Sequence, residues 1–213
     1  MGIYEEGIPQ AREGSEIFEQ LGNTAKQAEC LVSLSLLLRD DKQLDAAEEA
    51  ASRAIDLPEK GEKYLVCMGH RTLGDIYRSK GHTEKAIHHF EVALEIATSL
   101  SLDDQLFWVH YSLAQLFFKE RRIDDSHVHI ERAKSHAAND TYYLGRAMEL
   151  QASFWRRQRM FEKAKLEASH AADIYKKLGA GQDLGRSREF LEWIDKKMND
   201  PVVSDGSGDG KLL

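Results

Sequence analysis

The sequence predicts an all-α protein built from antiparallel helix pairs that stack in series. The chain of 213 residues contains only three prolines, which is typical of a nearly all-helical protein because proline breaks helix interiors. Leucine and alanine outnumber isoleucine and valine, and this balance also favours helix. A spacing of leucine and alanine recurs along the chain at intervals of about 40 residues, and an internal period of this length indicates stacked supersecondary units.

The repeat is clearest in the stretch 73–94. Here Leu73, Tyr77, Ala86, Phe90 and Ala93 follow the 3.6-residue period of two successive amphipathic helices. The positions of Leu73, Ala86 and Ala93 recur in three other places, as Leu34, Ala47 and Ala54, as Leu113, Ser126 and Ala133, and as Gln151, Ala164 and Ala171.

Each repeat needs a tight turn between its two helices and a close approach where the helices cross. Gly81 stands at the turn of the clearest repeat, where a left-handed residue is easiest for glycine. Lys42, Arg121 and Arg159 take its place in the other repeats, and we expect each of those turns to cost about 1 kcal/mol. Small residues are expected at the helix crossings, in the pairs Ser35 and Ala47, Gly74 and Ala86, Ala114 and Ser126, and Ala152 and Ala164.

Four regions follow from this register. Residues 1–22 are predicted to form an N-terminal half repeat, and residues 23–180 four full repeats. Residues 181–198 are predicted to form a C-terminal capping helix, whose charged residues suit a polar outer face. Residues 199–213 are rich in Gly, Ser and Asp, and we expect a disordered tail there.

The pattern Leu73-Gly74, Tyr77, Gly81, Ala86, Phe90 and Ala93 resembles the tetratricopeptide repeat (TPR). The period exceeds the usual 34 residues of that repeat, and the chain is similar in this respect to the longer-period arrays of kinesin light chains and of large NTPase-type signalling proteins. The resemblance implies a TPR-like right-handed solenoid of antiparallel helix pairs. It also implies that the first helix of each pair lines a concave face that binds protein or peptide partners.

The resemblance places basic and aromatic side chains on this concave face, although the whole chain carries a formal net charge of −7. Arginine can hold a carboxylate with two hydrogen bonds, and large aromatic side chains often dominate binding energies. We therefore expect a scaffold that binds an acidic or amphipathic peptide segment in its groove. The competing interpretation is that the aromatic residues pack within the array and the arginines pair with nearby acids. The candidate binding residues are Arg71, Asp75, Arg78, Trp108, Tyr111, Gln115, Phe118, Arg146, Arg156 and Arg157.

Other classes of function have little support in the sequence. The pairs His88–His89 and His127–His129 lack the i, i+4 spacing of a helical metal pair, so neither a metal nor another cofactor is expected. The glycines around Gly179 follow no strand and indicate a helix end, not a phosphate-binding loop. An enzyme is therefore not expected. The acidic balance argues against nucleic acid or an anionic membrane as the partner, and a cytoplasmic location is expected.

The alternative function is structural. An unpaired half repeat exposes an apolar edge at Ile17, Phe18 and Leu21, and such an edge favours association. On this interpretation the chain forms a homo-oligomer through its N-terminal half repeat, or it is a detached part of a larger signalling NTPase array.

Overall fold

The computed structural model describes residues 3–57, 62–137 and 141–199, and within these ranges it contains ten helices and no strand. The predicted all-α class is therefore confirmed. Residues 200–213 of the predicted tail lie outside the described residues, and Asn199 closes the last helix. The helices are α1 (Ile3–Gln20), α2 (Thr24–Asp40), α3 (Leu44–Asp56), α4 (Lys63–Lys80), α5 (Thr83–Ser99), α6 (Asp103–Lys119), α7 (Ile123–His136), α8 (Thr141–Arg157), α9 (Phe161–Leu178) and α10 (Gly181–Asn199).

The helices form two compact units, α1–α7 and α8–α10. In the first unit each helix packs against the next one along the chain. In addition, α2 contacts α4, and α4 contacts α6. The first helices of successive pairs therefore form an inner layer, α2–α4–α6, against which α3, α5 and α7 pack from the other side.

Small residues lie at the helix crossings of the first unit, as the sequence predicts. Ala47 and Ala86 are fully buried. Ser126 is also buried, and its Oγ donates a 2.9 Å hydrogen bond to the carbonyl of Ala114 on the partner helix. A Cβ added to Gly74 would lie 2.5 Å from ring carbons of Phe90, so glycine is required there for α5 to approach α4.

The turns between paired helices all use a left-handed residue. Gly81 has a φ of 79° and ends α4, while Lys42, Arg121 and Arg159 have φ values of 66°, 60° and 59°. The residue after each of these donates its backbone N–H to a carbonyl of the preceding helix, as His82 does to Tyr77 over 2.9 Å. The turn geometry is thus the same with or without glycine, and the non-glycine residues carry the predicted strain.

The second unit repeats the same packing. Helix α9 packs against both α8 and α10, and Ala164 at the predicted crossing is fully buried. Gly145 lies against Tyr175, whose ring would be 2.9 Å from an added Cβ. Gly179 has a φ of 69° and caps α9, so the glycines in this region end a helix as expected.

None of the described helices combines the length and the apolar character needed to span a bilayer.

Candidate binding face

The inner layer of the first unit is centred on the buried carboxylate of Asp75 on α4. Three guanidinium groups surround it: Arg39 on α2 at 3.5 Å, and Arg71 and Arg78 on α4 at 3.6 Å and 3.2 Å. Ser112 on α6 donates a hydrogen bond from its Oγ to the same carboxylate over 2.8 Å. One acidic side chain therefore connects the three helices of the inner layer.

The balance of charge in this cluster is positive. Burial raises the pKa of Asp75, but the nearby charges of Arg78, Arg39 and Arg71 and the bond from Ser112 outweigh that effect, so the pKa lies below its usual value. The carboxylate is therefore ionised at neutral pH and offsets one of the three guanidinium charges. Asp40 pairs with Arg39 over 2.8 Å and offsets a second, so the cluster keeps an excess of one positive charge.

The three arginines are also within reach of solvent. Their side chains keep 21% (Arg39), 12% (Arg71) and 26% (Arg78) of their surface exposed. The Nε of Arg71 donates a 3.0 Å hydrogen bond to Gln105 on α6, which fixes this side chain between the two helices. The cluster is thus a positioned set of cationic donors on the inner layer.

The predicted aromatic residues on α6, the helix that carries Ser112, differ in their degree of burial. Tyr111 and Phe118 retain only 7% of their surface, so they belong mainly to the core. Trp108 is half-buried and meets the ring of Tyr111 edge-on, with centroids 5.7 Å apart. Gln115 is also half-buried. Trp108 and Gln115 therefore offer more surface to a ligand than the two buried rings do.

The remaining predicted residues lie in the second unit. Arg146 on α8 is 3.9 Å from both Glu149 and Asp183. Arg156 lies over the ring of Trp193, with its guanidinium carbon 5.2 Å from the ring centroid, and Arg157 is exposed. Arg146 therefore has the acidic partners that the competing interpretation expects, whereas Arg156 contacts an aromatic ring.

Three residues that contact Asp75 or its arginines, namely Arg39, Gln105 and Ser112, are not among the candidate binding residues. The repeat register does place Arg39 on the concave face, because it lies 39 residues before Arg78 at the equivalent place in the preceding repeat. Gln105 and Ser112 carry no such signal, because their role depends on how α6 is placed against α4. Within residues 3–57, 62–137 and 141–199, no group of three or more His, Cys, Asp or Glu side chains is arranged to hold a metal ion.

The family model that matches the sequence is the tetratricopeptide repeat, over residues 72–99. This segment runs from the middle of α4 to the end of α5, the hairpin in which the repeat pattern is clearest. No curated protein matches the sequence significantly.

Several solved structures share the fold. BtubC (BKLC) from P. vanneervenii superposes with a TM-score of 0.68 at 16% identity, covering 100% of this chain and 98% of that one. A Rap protein complexed with competence and sporulation factor gives a TM-score of 0.63 at 16% identity, covering 91% of this chain and 59% of that one. Aspartyl phosphate phosphatase F from Bacillus subtilis gives 0.61 at 17% identity, covering 94% and 57%.

The chain therefore spans nearly all of BtubC but less than two thirds of the two longer proteins. At these identities the likeness concerns the fold. Together with the repeat register and the left-handed turns, it shows that this chain has a helical repeat fold of the tetratricopeptide type.

Proposed function

We propose that the chain is a non-enzymatic protein–protein interaction scaffold that binds an acidic or amphipathic peptide segment on the α2–α4–α6 face. The observation that carries the proposal is the arrangement of three arginines around the single buried carboxylate of Asp75. A protein with a formal net charge of −7 has gathered a local excess of positive charge on its inner layer. Such an excess attracts an acidic segment and sets its orientation.

The geometry of the cluster suits carboxylate recognition. A guanidinium group presents several donors in a fixed plane, and each can bind a carboxylate through two parallel hydrogen bonds. Asp75 holds the three side chains in place before a partner arrives, which lowers the entropy lost on binding. Trp108 supplies an aromatic surface for an apolar residue of the same segment, and Gln115 adds a polar contact.

The comparisons support a role in binding. One neighbour of similar fold is the Rap protein whose structure contains competence and sporulation factor. For this chain, the contacts proposed in the second unit are Arg146, Arg156 and Arg157. Replacing these three together with alanine measures the share of the second unit in binding.

The decisive experiment removes charge from the cluster while Asp75 keeps one partner. In the double variant Arg39→Gln/Arg78→Gln, Arg71 still pairs with the carboxylate. A fluorescein-labelled peptide of alternating Glu and Leu is titrated with the full chain at low and at physiological salt, and anisotropy is measured. We expect the double variant to bind about tenfold more weakly, with a flatter salt dependence, because screened charge contacts have been removed.

The matched control is Arg53→Gln, which removes an exposed arginine from α3 on the other layer of the same unit. It should leave affinity unchanged. Equal affinity of the wild-type chain for a Lys/Leu peptide, or unchanged binding by the double variant, would contradict the proposal.

The alternative function, self-association through the N-terminal half repeat, is favoured by one observation. Ile17 and Leu21 remain 45% and 70% exposed. Light scattering over a range of protein concentrations separates the two functions, since peptide binding by the scaffold allows a monomer whereas the structural function requires a second copy. If the chain associates, Ile17→Glu/Leu21→Glu should restore the monomer.

A further inference from the structure

Two histidine pairs occupy the same place in successive helix hairpins. The Nδ1 atoms of His70 on α4 and His89 on α5 are 3.0 Å apart, and those of His110 on α6 and His129 on α7 are also 3.0 Å apart. The partners of each pair are 19 residues apart in the sequence. The second pair follows the first by one repeat period, so the arrangement belongs to the hairpin and is present twice.

A hydrogen bond between two Nδ1 atoms depends on protonation. One ring must donate its N–H while the other offers a lone pair, so at least one ring of each pair is neutral. If both rings were protonated, two N–H groups would face each other across the same gap. The contact that joins the two helices would then become a repulsion.

Aromatic rings pack against one member of each pair. Tyr77 stacks on His89 with ring centroids 5.3 Å apart, and Phe117 lies 5.3 Å from His129. These rings take the place of water that would otherwise stabilise a protonated imidazole. The pairs are therefore built into the packing of their hairpins and are not solvated surface histidines.

The surroundings of the first pair disfavour the charged form. Burial is the main cause, followed by the proximity of His70 and His88, and together they lower the pKa of His89 to about 4. Glu48 on α3 acts in the opposite direction and Lys85 on α5 in the same direction, both more weakly. Burial, and then His88, also lowers the pKa of His70.

The surroundings of the second pair disfavour the charged form of the imidazoles more strongly. Burial and then His129 lower the pKa of His110 to about 3, and burial lowers the pKa of His129 to about 4. The ring of His136 stacks on His110 with centroids 5.8 Å apart and adds a further titratable group. The charged or titratable side chains around this pair are His136, Arg132 and Asp125 on α7, Arg122 in the turn before α7, and Asp103 on α6, which bonds to His136.

We propose that the two pairs act as a tandem acid-sensitive latch, which holds α4 on α5 and α6 on α7 while the rings are neutral and loosens both hairpins when they are protonated. A metal ion is a poorer explanation, because the described part of the chain offers no third ligand to either pair. The latch is independent of the proposed peptide-binding face. It makes the integrity of the array depend on pH.

The direction of the effect follows from linkage. An imidazole whose pKa is lower in the folded chain than its unfolded value of about 6.5 binds fewer protons when folded. Its contribution to stability is therefore complete above that value and declines as the pH falls through it. When the pH falls from 7 to 5, each ring whose folded pKa is about 4 or lower increases the equilibrium constant for unfolding by about 20-fold.

The test is urea unfolding of the full chain at a series of pH values between 5 and 7.5. Replacing both rings with apolar side chains, in His110→Leu/His129→Leu, removes the titrating groups and leaves no unpaired donor. We expect this variant to lose the share of the pH dependence that this pair contributes, about half of the total, while the intact His70–His89 pair keeps the rest. The control His170→Asn removes an exposed histidine of α9 and should keep the full dependence.

A second measurement does not depend on the folding of a variant. In NMR spectra of the wild-type chain, the imidazole resonances of His89, His110 and His129 should titrate below pH 5, and that of His70 should titrate below its ordinary value of about 6.5. Rings of the pairs that titrate near 6.5, or a double variant with the pH dependence of the wild type, would overturn the proposal. Low titration midpoints together with a flattened profile would support it.

Discussion

Ser112 donates a 2.8 Å hydrogen bond from its Oγ to the carboxylate of Asp75, which lies 37 residues earlier in the chain. The bond connects α6 to α4, while Arg39 reaches the same carboxylate from α2. The inner layer is therefore held together by a buried charge as well as by apolar packing. The same charge positions the arginines that the proposed function uses.

Removal of this charge should weaken the fold. In Asp75→Asn the three guanidinium groups lose their shared anion, and breaking a buried ion pair on one side is strongly destabilising. Because the arginines are partly exposed, we expect the lower part of the usual range, a loss of about 3 kcal/mol in the free energy of unfolding. Urea unfolding at pH 7 measures it.

A neighbouring carboxylate provides the control for this prediction. Asp40 also pairs with Arg39, over 2.8 Å, but about half of its side chain is exposed. Asp40→Asn should therefore change the free energy of unfolding by less than about 0.5 kcal/mol. Similar losses in the two variants would show that burial of the Asp75 carboxylate has no special role.

When the free energy of unfolding of the wild-type chain is measured against pH, the contribution of the Asp75 carboxylate should be lost at a lower pH than that of the histidine pairs. Its pKa is lower in the folded chain than in the unfolded chain, so its contribution is present above about pH 4 and is lost as the pH falls below that value. The histidine contribution is lost earlier, from about pH 6.5 downward. In Asp75→Asn the slope below pH 4 should decrease, and the slope between pH 5 and 7 should persist.

The sequence could predict the features that depend on neighbours along the chain. The turn at Gly81 and the small residue at Gly74 each follow from the repeat register, because a hairpin fixes its own crossing and its own turn. The contact between Ser112 and Asp75 depends on how one hairpin stacks on the next, and no local pattern specifies that. The His70–His89 pair joins two helices over 19 residues of sequence, so the spacing of histidines along a single helix does not indicate it.

Alanine should lower the stability of the protein at Gly74, where two helices cross, and raise it at Gly185. In Gly74→Ala the new Cβ would lie 2.5 Å from the buried ring of Phe90, which has little room to move. Overpacking of this kind costs about 1–3 kcal/mol, and because the ring is fully buried we expect the upper part of that range, which exceeds the gain of about 1 kcal/mol in helix propensity. In Gly185→Ala nothing lies within 4 Å of the new Cβ, so that variant should be more stable than the wild type.

A double-mutant cycle identifies the cause of the Gly74 effect. If the clash with the ring is responsible, Phe90→Leu should reduce the cost of Gly74→Ala, and the two changes should be non-additive. Thermal unfolding of the four proteins gives the coupling energy. Additive effects would indicate that the loss arises elsewhere in the helix.

The left-handed turns predict stabilising substitutions. Lys42 and Arg121 are exposed residues with φ values of 66° and 60°. Lys42→Gly and Arg121→Gly should each raise the free energy of unfolding by about 0.5–1 kcal/mol, because glycine removes the left-handed strain at some cost in chain entropy. The reverse change, Gly81→Ala, should destabilise by about 1 kcal/mol. A loss of stability in both glycine variants would contradict the strain argument.

The two cysteines predict a difference in thiol reactivity that reports on the α4–α5 hairpin. Cys67 on α4 is fully buried, its Sγ lies 3.4 Å from the carbonyl oxygen of Ala93 on α5, and burial raises its pKa to about 11. Cys30 on α2 is half-buried, and burial raises its pKa as well. Since a disulfide reagent reacts with an accessible thiolate, Cys30 should react first. Cys67 should react only when α4 and α5 separate, at a rate at least about 100-fold lower than that of Cys30. In Cys30→Ser only the slow phase should remain at neutral pH, and a fast phase in that variant would show that the hairpin opens without unfolding.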